Sequence, residues 1–356
     1  MQLLSTIFIF FVVLFMYIQI YFHIKYSNDL EVYTVSITSK QQLEQICDFK
    51  QPVRFLYFPK ELQPLINKNS IETYGSYDVH LRNVGEIKNK ENIYSRASLQ
   101  QAVLICNNKQ NACFIENNMQ FIRDTKLLKE FKSSEELLRP PLSSRCIYDY
   151  VYGTSNVCTP LKYNIHYRNF YCVLKGRVRI LLAPPKNDLG LKEVSDYENL
   201  EFRADTNIWD ISKKHDKISQ SLIDITLQEN ETIFIPKYWW YSIQFLSDST
   251  LGSFKYDTYI SMISIIPKLA LHLLQRQNIK TIPDDIKVKS TYSNNKSTTN
   301  DVSNVTINAT CSDITDDNTH KNVSNDHSRN LVISKHDNTN NVNSNKEKSI
   351  IVVDIK

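Results

Sequence analysis

Residues 159–185 read TPLKYNIHYRNFYCVLKGRVRILLAPP. Two runs of β-branched, aromatic and other apolar residues, 169–174 and 178–183, meet at Lys175-Gly176, and Pro184-Pro185 closes the second. Proline has no N–H to give to a sheet ladder, and glycine turns most freely at positive φ. The pattern is therefore strand, tight turn, strand, stop. A second β-rich stretch, IFIPKYWWYSI at 233–243, bends at Pro236 and carries the bulky pair Trp239-Trp240.

Five blocks fall in order: Thr159-Pro160-Leu161-Lys162-Tyr163-Asn164, Asn169-Phe170-Tyr171, Lys175-Gly176-Arg177-Val178-Arg179, Ala183-Pro184-Pro185, and Ile235-Pro236-Lys237-Tyr238-Trp239-Trp240-Tyr241. Together they resemble the core motifs of the JmjC/cupin-like dioxygenase family, most closely its asparaginyl-hydroxylase branch (the factor that inhibits the hypoxia-inducible factor). That family reads T-P-x-H-x-D, N-F-F, K-G-x-K-R, F-P-P and I-P-x-x-W-W-H. The resemblance implies a double-stranded β-helix (cupin/jelly-roll) with flanking helices.

It also implies a site that holds iron(II) through two histidines and a carboxylate, with open positions for 2-oxoglutarate and oxygen. The aligned ligand positions are Lys162, Asn164 and Tyr241. A lysine is ordinarily a cation, an asparagine amide is a neutral donor, and a phenol with a pKa near ~10 stays protonated at neutral pH. The lysine that grips 2-oxoglutarate aligns with Val178. The former 2-oxoglutarate pocket maps to Thr159, Asn169, Tyr171 and Val178, with Trp239 and Trp240 as its wall. The chain has one residue more than the family between the first ligand and the turn. A one-step slip would therefore bring His166 into the ligand position and Arg168 into that of the carboxylate. The competing reading of His166 is an ordinary hydrogen-bonded histidine.

The remaining composition excludes other classes. The six glycines form neither G-x-G-x-x-G nor a P-loop, and neither a G-x-S-x-G elbow nor H-E-x-x-H occurs. A net charge of +4, evenly spread over 356 residues, argues against a nucleic-acid partner. A hydrophobic fraction of 42% is ample for a packed core. Abundant Asn, Ile, Lys and Tyr point to an AT-rich genome, of the kind large DNA viruses carry.

Residues 3–22, LLSTIFIFFVVLFMYIQIYF, carry no charge. About 20 such residues at a rise of 1.5 Å match a hydrocarbon core of roughly 30 Å, which predicts a transmembrane anchor over 1–25. A cleaved signal peptide would start basic and end in small residues, and neither feature is present. Lys25 follows the span but lies close to Asp29 and Glu31, so the positive-inside rule leans only slightly towards a cytoplasmic body. The seven cysteines form no C-x-x-C and sit within apolar runs, as buried thiols in a reducing compartment would.

A cupin-like domain is expected over 31–280. It begins with a strand at 32–37, a helix capped by Ser39 and a strand at 52–58. A helix follows over 127–138, ended by Pro140-Pro141. Residues 186–230 read as a loop-rich insertion over the mouth of the site. Within it Trp209, beside Asp205 and Asp210, is either a substrate contact or an aromatic packing the loop on the barrel. After a strand at 256–266, Pro267 starts a helix with Leu269, Leu273 and Leu274 on one stripe. In the resembled family a C-terminal helix pair makes a dimer, so a homodimer through this helix stands beside an ordinary docked helix. From 285 to 356 Asn, Ser, Thr, Asp and Lys dominate, predicting a disordered polar tail. Its last stretch, 349–355, is strand-like.

The functional expectation is a catalytically inactive, membrane-anchored relative of the Fe(II)/2-oxoglutarate protein hydroxylases. It would act as a binding or scaffolding module for a protein or peptide in the barrel mouth, without a cofactor. In a sharper form, Lys162 supplies fixed positive charge to an anionic peptide or metabolite. The alternatives are an active hydroxylase with a rebuilt site, which would need Fe(II) and 2-oxoglutarate, and a membrane structural protein.

Overall fold

The computed structural model describes residues 2–67, 69–84, 93–108, 112–186, 192–212 and 220–278, with short strands within 284–355. The apolar N-terminal stretch is one helix, α1 (Gln2–Ile24). It is long and apolar enough to cross a membrane. After it come β1 (Tyr33–Thr34), α2 (Lys40–Asp48) and β2 (Val53–Leu56). The Ser39 hydroxyl accepts the Gln42 N–H and caps α2 as the sequence predicts. Then follow α3 (Ser70–Tyr74), β3 (Asp78–Asn83), β4 (Ser95–Ser98), α4 (Leu99–Asn107), β5 (Cys113–Ile115), α5 (Met119–Asp124), α6 (Leu128–Ser133) and β6 (Ser143–Gly153). The two motif regions contribute β7 (Lys162–Tyr163), β8 (Arg168–Lys175), β9 (Val178–Ala183), β10 (Glu193–Asp196), β11 (Glu201–Ala204), α7 (Ile208–Ser212), β12 (Ile223–Leu227), β13 (Glu231–Pro236), β14 (Trp240–Phe245) and β15 (Ser249–Thr258). Helices α8 (Tyr259–Ser264) and α9 (Ile266–Asn278) close the domain.

The strands β1 to β15 form two sheets. A large one runs β1-β2-β13-β8-β15-β6-β5-β3-β4, with a two-residue strand at Asp284–Asp285 on its edge, and a smaller one runs β10-β11-β7-β14-β9-β12. The turn at Gly176 therefore does not make a hairpin. It carries the chain from β8 in one sheet to β9 in the other. Gly176 has φ +86°, and a Cβ there would lie 2.4 Å from the Ser249 hydroxyl and 2.7 Å from the Asp248 carbonyl. Only glycine satisfies both constraints.

Side-chain alternation explains the two cores. Along β8, Tyr171 and Val173 point between the sheets with Val178, Ile180, Leu182, Ile233, Ile235, Trp239, Tyr241 and Ile243. Phe170, Cys172 and Leu174 point to the other side, where Leu43, Phe121, Phe131, Phe254 and Tyr256 pack under the helices. A sheet covered on both faces reads as a continuous apolar run, as 169–174 does.

Several expected boundaries move. The first strand shortens to Tyr33–Thr34. The helix over 127–138 is confined to Leu128–Ser133. The strand at 256–266 ends at Thr258, because the Thr258 hydroxyl accepts the Ser261 N–H and starts α8. The insertion at 186–230 contains three strands, of which β12 pairs with β9 along its whole length. On α9 the expected stripe divides: Leu269 packs into the domain, whereas Leu273 and Leu274 are exposed. Most of the polar tail lies outside the described residues. Its strands at Lys287–Tyr292, Asn304–Thr310, Arg329–Ser334 and Ile350–Ile355 pair only with one another.

Candidate functional site

The site is built where the two sheets face each other at the β7 end. In the small sheet, Lys162 on β7 stands opposite Arg203 on β11 and Tyr241 on β14. Glu201 lies two residues before Arg203 and so shares its face of β11. The large sheet supplies Tyr171 from β8, Arg82 from β3, and Glu116, which directly follows β5.

These residues make one buried charge network. The Arg82 guanidinium, fully buried, donates to Glu116 Oε1 at 2.7 Å, to Glu201 Oε2 at 2.6 Å and to Glu201 Oε1 at 2.8 Å. Lys162 Nζ donates to Glu116 Oε2 at 2.5 Å and lies 3.7 Å from Glu201 Oε2. Arg203 Nη1 reaches Glu201 Oε1 at 3.3 Å and Asp196 Oδ2 at 4.0 Å. Three cations thus face three carboxylates. Burial works against the Lys162 charge, but Glu116 and Glu201 outweigh it and hold its pKa above the ordinary lysine value. Burial likewise opposes ionisation of the two glutamates, and their cationic partners overcome it, keeping both below the usual carboxylate range.

Beside the network the other two aligned positions make a neutral cluster. The Tyr171 and Tyr241 hydroxyls are 2.7 Å apart, and Asn164 Nδ2 donates to Tyr241 at 3.1 Å and to Tyr171 at 3.4 Å. Burial, then the neighbouring Tyr171, pushes the Tyr241 phenol well above its ordinary pKa, so it stays protonated.

The structure therefore brings Lys162, Asn164, Tyr171 and Tyr241 together, but as a set that does not fit iron(II). An ammonium tied to two carboxylates has no lone pair to give, and the phenol keeps its proton. Among the described residues no three His, Cys, Asp or Glu side chains are grouped so as to hold a metal ion. The expectation of Lys162 as a free charge for an anion is also corrected, since that charge is taken up inside the protein.

The remaining expected site residues have structural work. The Thr159 hydroxyl accepts the Ile243 N–H, and its carbonyl accepts the Ser242 hydroxyl. Asn169 Nδ2 donates to the His166 and Ile235 carbonyls. Val178 lies in the inter-sheet core, between Leu227 and Phe245 in register. Trp239 is fully buried there, and Trp240 packs edge-on against Tyr163 at 4.8 Å. His166 Nδ1 pairs with Asp257 Oδ2 at 2.7 Å, which leaves it hydrogen-bonded away from the three aligned positions. Trp209 is buried, with its indole N–H on the Ser242 hydroxyl at 2.7 Å, so it packs the insertion on the barrel.

Sequence reading missed Arg82, Glu116, Glu201 and Arg203. Each is a charge set in or against an apolar run, as in Val79-His80-Leu81-Arg82 and Cys113-Phe114-Ile115-Glu116. Such placement signals a buried ion pair, but not which residues form it.

No curated protein sequence is significantly similar to the chain. A family model described as the cupin-like domain matches residues 35–261. That span holds the whole small sheet, all of the large one but its two short edge strands, and every residue of the network, so the chain belongs to the cupin-like domain family and is a relative of the 2-oxoglutarate oxygenases.

Proposed function

We propose that the protein is a non-catalytic, membrane-anchored member of this family that works as a binding or scaffolding module. Within the family it stands nearest to the asparaginyl-hydroxylase branch, whose motif blocks it keeps and whose ligand positions it has substituted. One observation carries this reading. Lys162, at the first ligand position, is locked between Glu116 and Glu201, and its pairing with Glu116 ties the two sheets together. A partner protein or peptide would be taken at the rim of the barrel mouth, where Asn164 and Trp240 are half-buried. The anchor is α1, which would hold the domain at a membrane surface.

The test is metal analysis of the purified full chain after incubation with Fe(II), together with conversion of 2-oxoglutarate to succinate. The expected outcome is no stoichiometric iron and no succinate above the protein-free rate. Stoichiometric iron that disappears in a His166→Ala or Tyr241→Phe variant would reinstate an oxygenase.

A further inference from the structure

The junction between α1 and the domain carries features that the barrel does not use. Along α1 only Met16, Gln19, Ile20 and His23 are shielded, at the spacing of one helical face. That face packs beside α8. The His23 ring meets Tyr167 edge-on at 4.9 Å, and Lys50 donates to the Phe22 carbonyl with its ammonium 3.9 Å from the Phe22 ring. The link to β1 is pinned too, because Gln51 Nε2 donates to the Asp29 and Glu31 carbonyls at 2.6 and 2.8 Å. The helix is therefore docked, which fixes the depth of its neighbours. At 1.5 Å per residue, Met16 to Phe22 spans only about 9 Å, so α8 lies at the edge of any bilayer that α1 crosses.

Two kinds of residue meet at that level. Tyr259 on α8 and Ile266, Leu271, Leu273 and Leu274 on α9 are exposed, at 68, 54, 45, 60 and 57%. Ile266, Leu273 and Leu274 fall on one face of α9 (i, i+7, i+8), and Leu269, at the margin of that face, enters the domain. Around the end of α1 lie four lysines. Lys25, Lys50 and Lys237 line one small cleft of about 10 Å³ with His23, Cys47, Tyr167, Phe234 and Pro236. Lys268 sits over the rings of Phe202, Tyr163 and Tyr238, 4.0, 4.9 and 5.3 Å away, and Lys237 lies 4.8 Å from the other flank at Tyr238. Of the nearby carboxylates, Asp48 takes the Tyr167 hydroxyl and Arg168, Asp257 takes His166, and Glu193, which acts on Lys268, takes the Tyr163 hydroxyl; Asp29 and Glu31 follow Lys25 in sequence.

We propose that α8, α9 and the more accessible lysines, Lys25, Lys50 and Lys268, form a membrane-contact face that seats on a bilayer containing anionic phospholipid. The apolar side chains enter the boundary region, and the lysines meet lipid phosphates. Interfacial amphipathic helices carry this same combination of apolar face and flanking cations. The occupant is a lipid surface rather than a second copy of the chain because the face is continuous with the helix that enters the bilayer. The inference rests on reading α1 as a membrane span.

The test uses full-length protein in vesicles of phosphatidylcholine, with or without phosphatidylserine. An environment-sensitive fluorescent amino acid is encoded at Leu274 and, as control, at Leu56. Leu56 is exposed and pairs with Glu231, at the far end of β13 from Lys237. Brominated lipids should quench the probe at 274 at least twofold more than at 56. Phosphatidylserine should increase that quenching, and Lys25→Glu with Lys268→Glu should abolish the increase. Alkaline carbonate extraction reports separately on α1. Protein retained after extraction, with no quenching at 274, overturns this inference and leaves the anchor standing. Protein released by extraction overturns both. A probe at 274 that is blue-shifted in detergent without lipid, in protein that sediments as a dimer, assigns the face to a dimer instead, and also overturns it.

Discussion

Lys162 and Lys237 are both buried lysines on the same β-barrel, yet their surroundings push them in opposite directions. Lys162 has Glu116 and Glu201 within ion-pair distance, and its pKa rises. Lys237 has no carboxylate at ion-pair distance among the described residues; it donates to the Ser264 hydroxyl at 3.0 Å, and burial lowers its pKa to about 7, against a weaker pull from Asp257. Position in the fold does not decide what a buried cation is for; pairing does. A charge satisfied from within holds sheets together, whereas one left short of counter-charge costs stability and stays open to an anion from outside.

The largest effect should come from breaking the satisfied side. Replacing Arg82 by Met leaves Glu116 and Glu201 short of a partner, and a loss of about 3–5 kcal/mol is expected in urea unfolding. The sign of the pH dependence follows from the glutamates, whose folded pKa values are depressed. Their contribution is fully present above the unfolded value near ~4.3 and is lost as pH falls through the folded values. The wild type should thus lose stability on the acid side, and the variant should show a flatter acid limb.

The unsatisfied side should respond in the opposite sense. Lys237→Met should stabilise the fold by about 2–4 kcal/mol at pH 7 and by little near pH 10.5. The folded pKa is depressed, so the penalty is absent above the unfolded value near ~10.4 and grows as pH falls towards 7. A variant that is no more stable at pH 7 than at pH 10.5 would erase the contrast between the two lysines. The smallest effect belongs to the neutral cluster. Tyr171→Phe removes one hydroxyl from the Asn164–Tyr171–Tyr241 set and should cost about 1 kcal/mol in the same unfolding assay.

The contrast also marks where sequence was readable. The strands at 169–174 and 178–183, the turn at Gly176 and the Ser39 cap follow from local chemistry, and each is present. The three aligned ligand positions do converge. What fills the space between them was hidden, because Arg82, Glu116 and Glu201 come from three separated strand ends that only the sheet topology brings together. The split of the α9 stripe was hidden for the same reason: periodicity gives an apolar face, but not which part of it finds a partner.

The pairing of β2 with β13 places Arg54 against Glu231, 177 residues further along the chain. At roughly 5–20 residues per second, a ribosome takes on the order of 10–35 s to supply that partner strand. The apolar helix α1 and β2 leave the ribosome before β13, so an unzipped edge waits beside a lipid-seeking segment throughout that interval. Nascent chains stalled before residue 231 should therefore be the stage at which chaperones or early membrane insertion matter most to this protein.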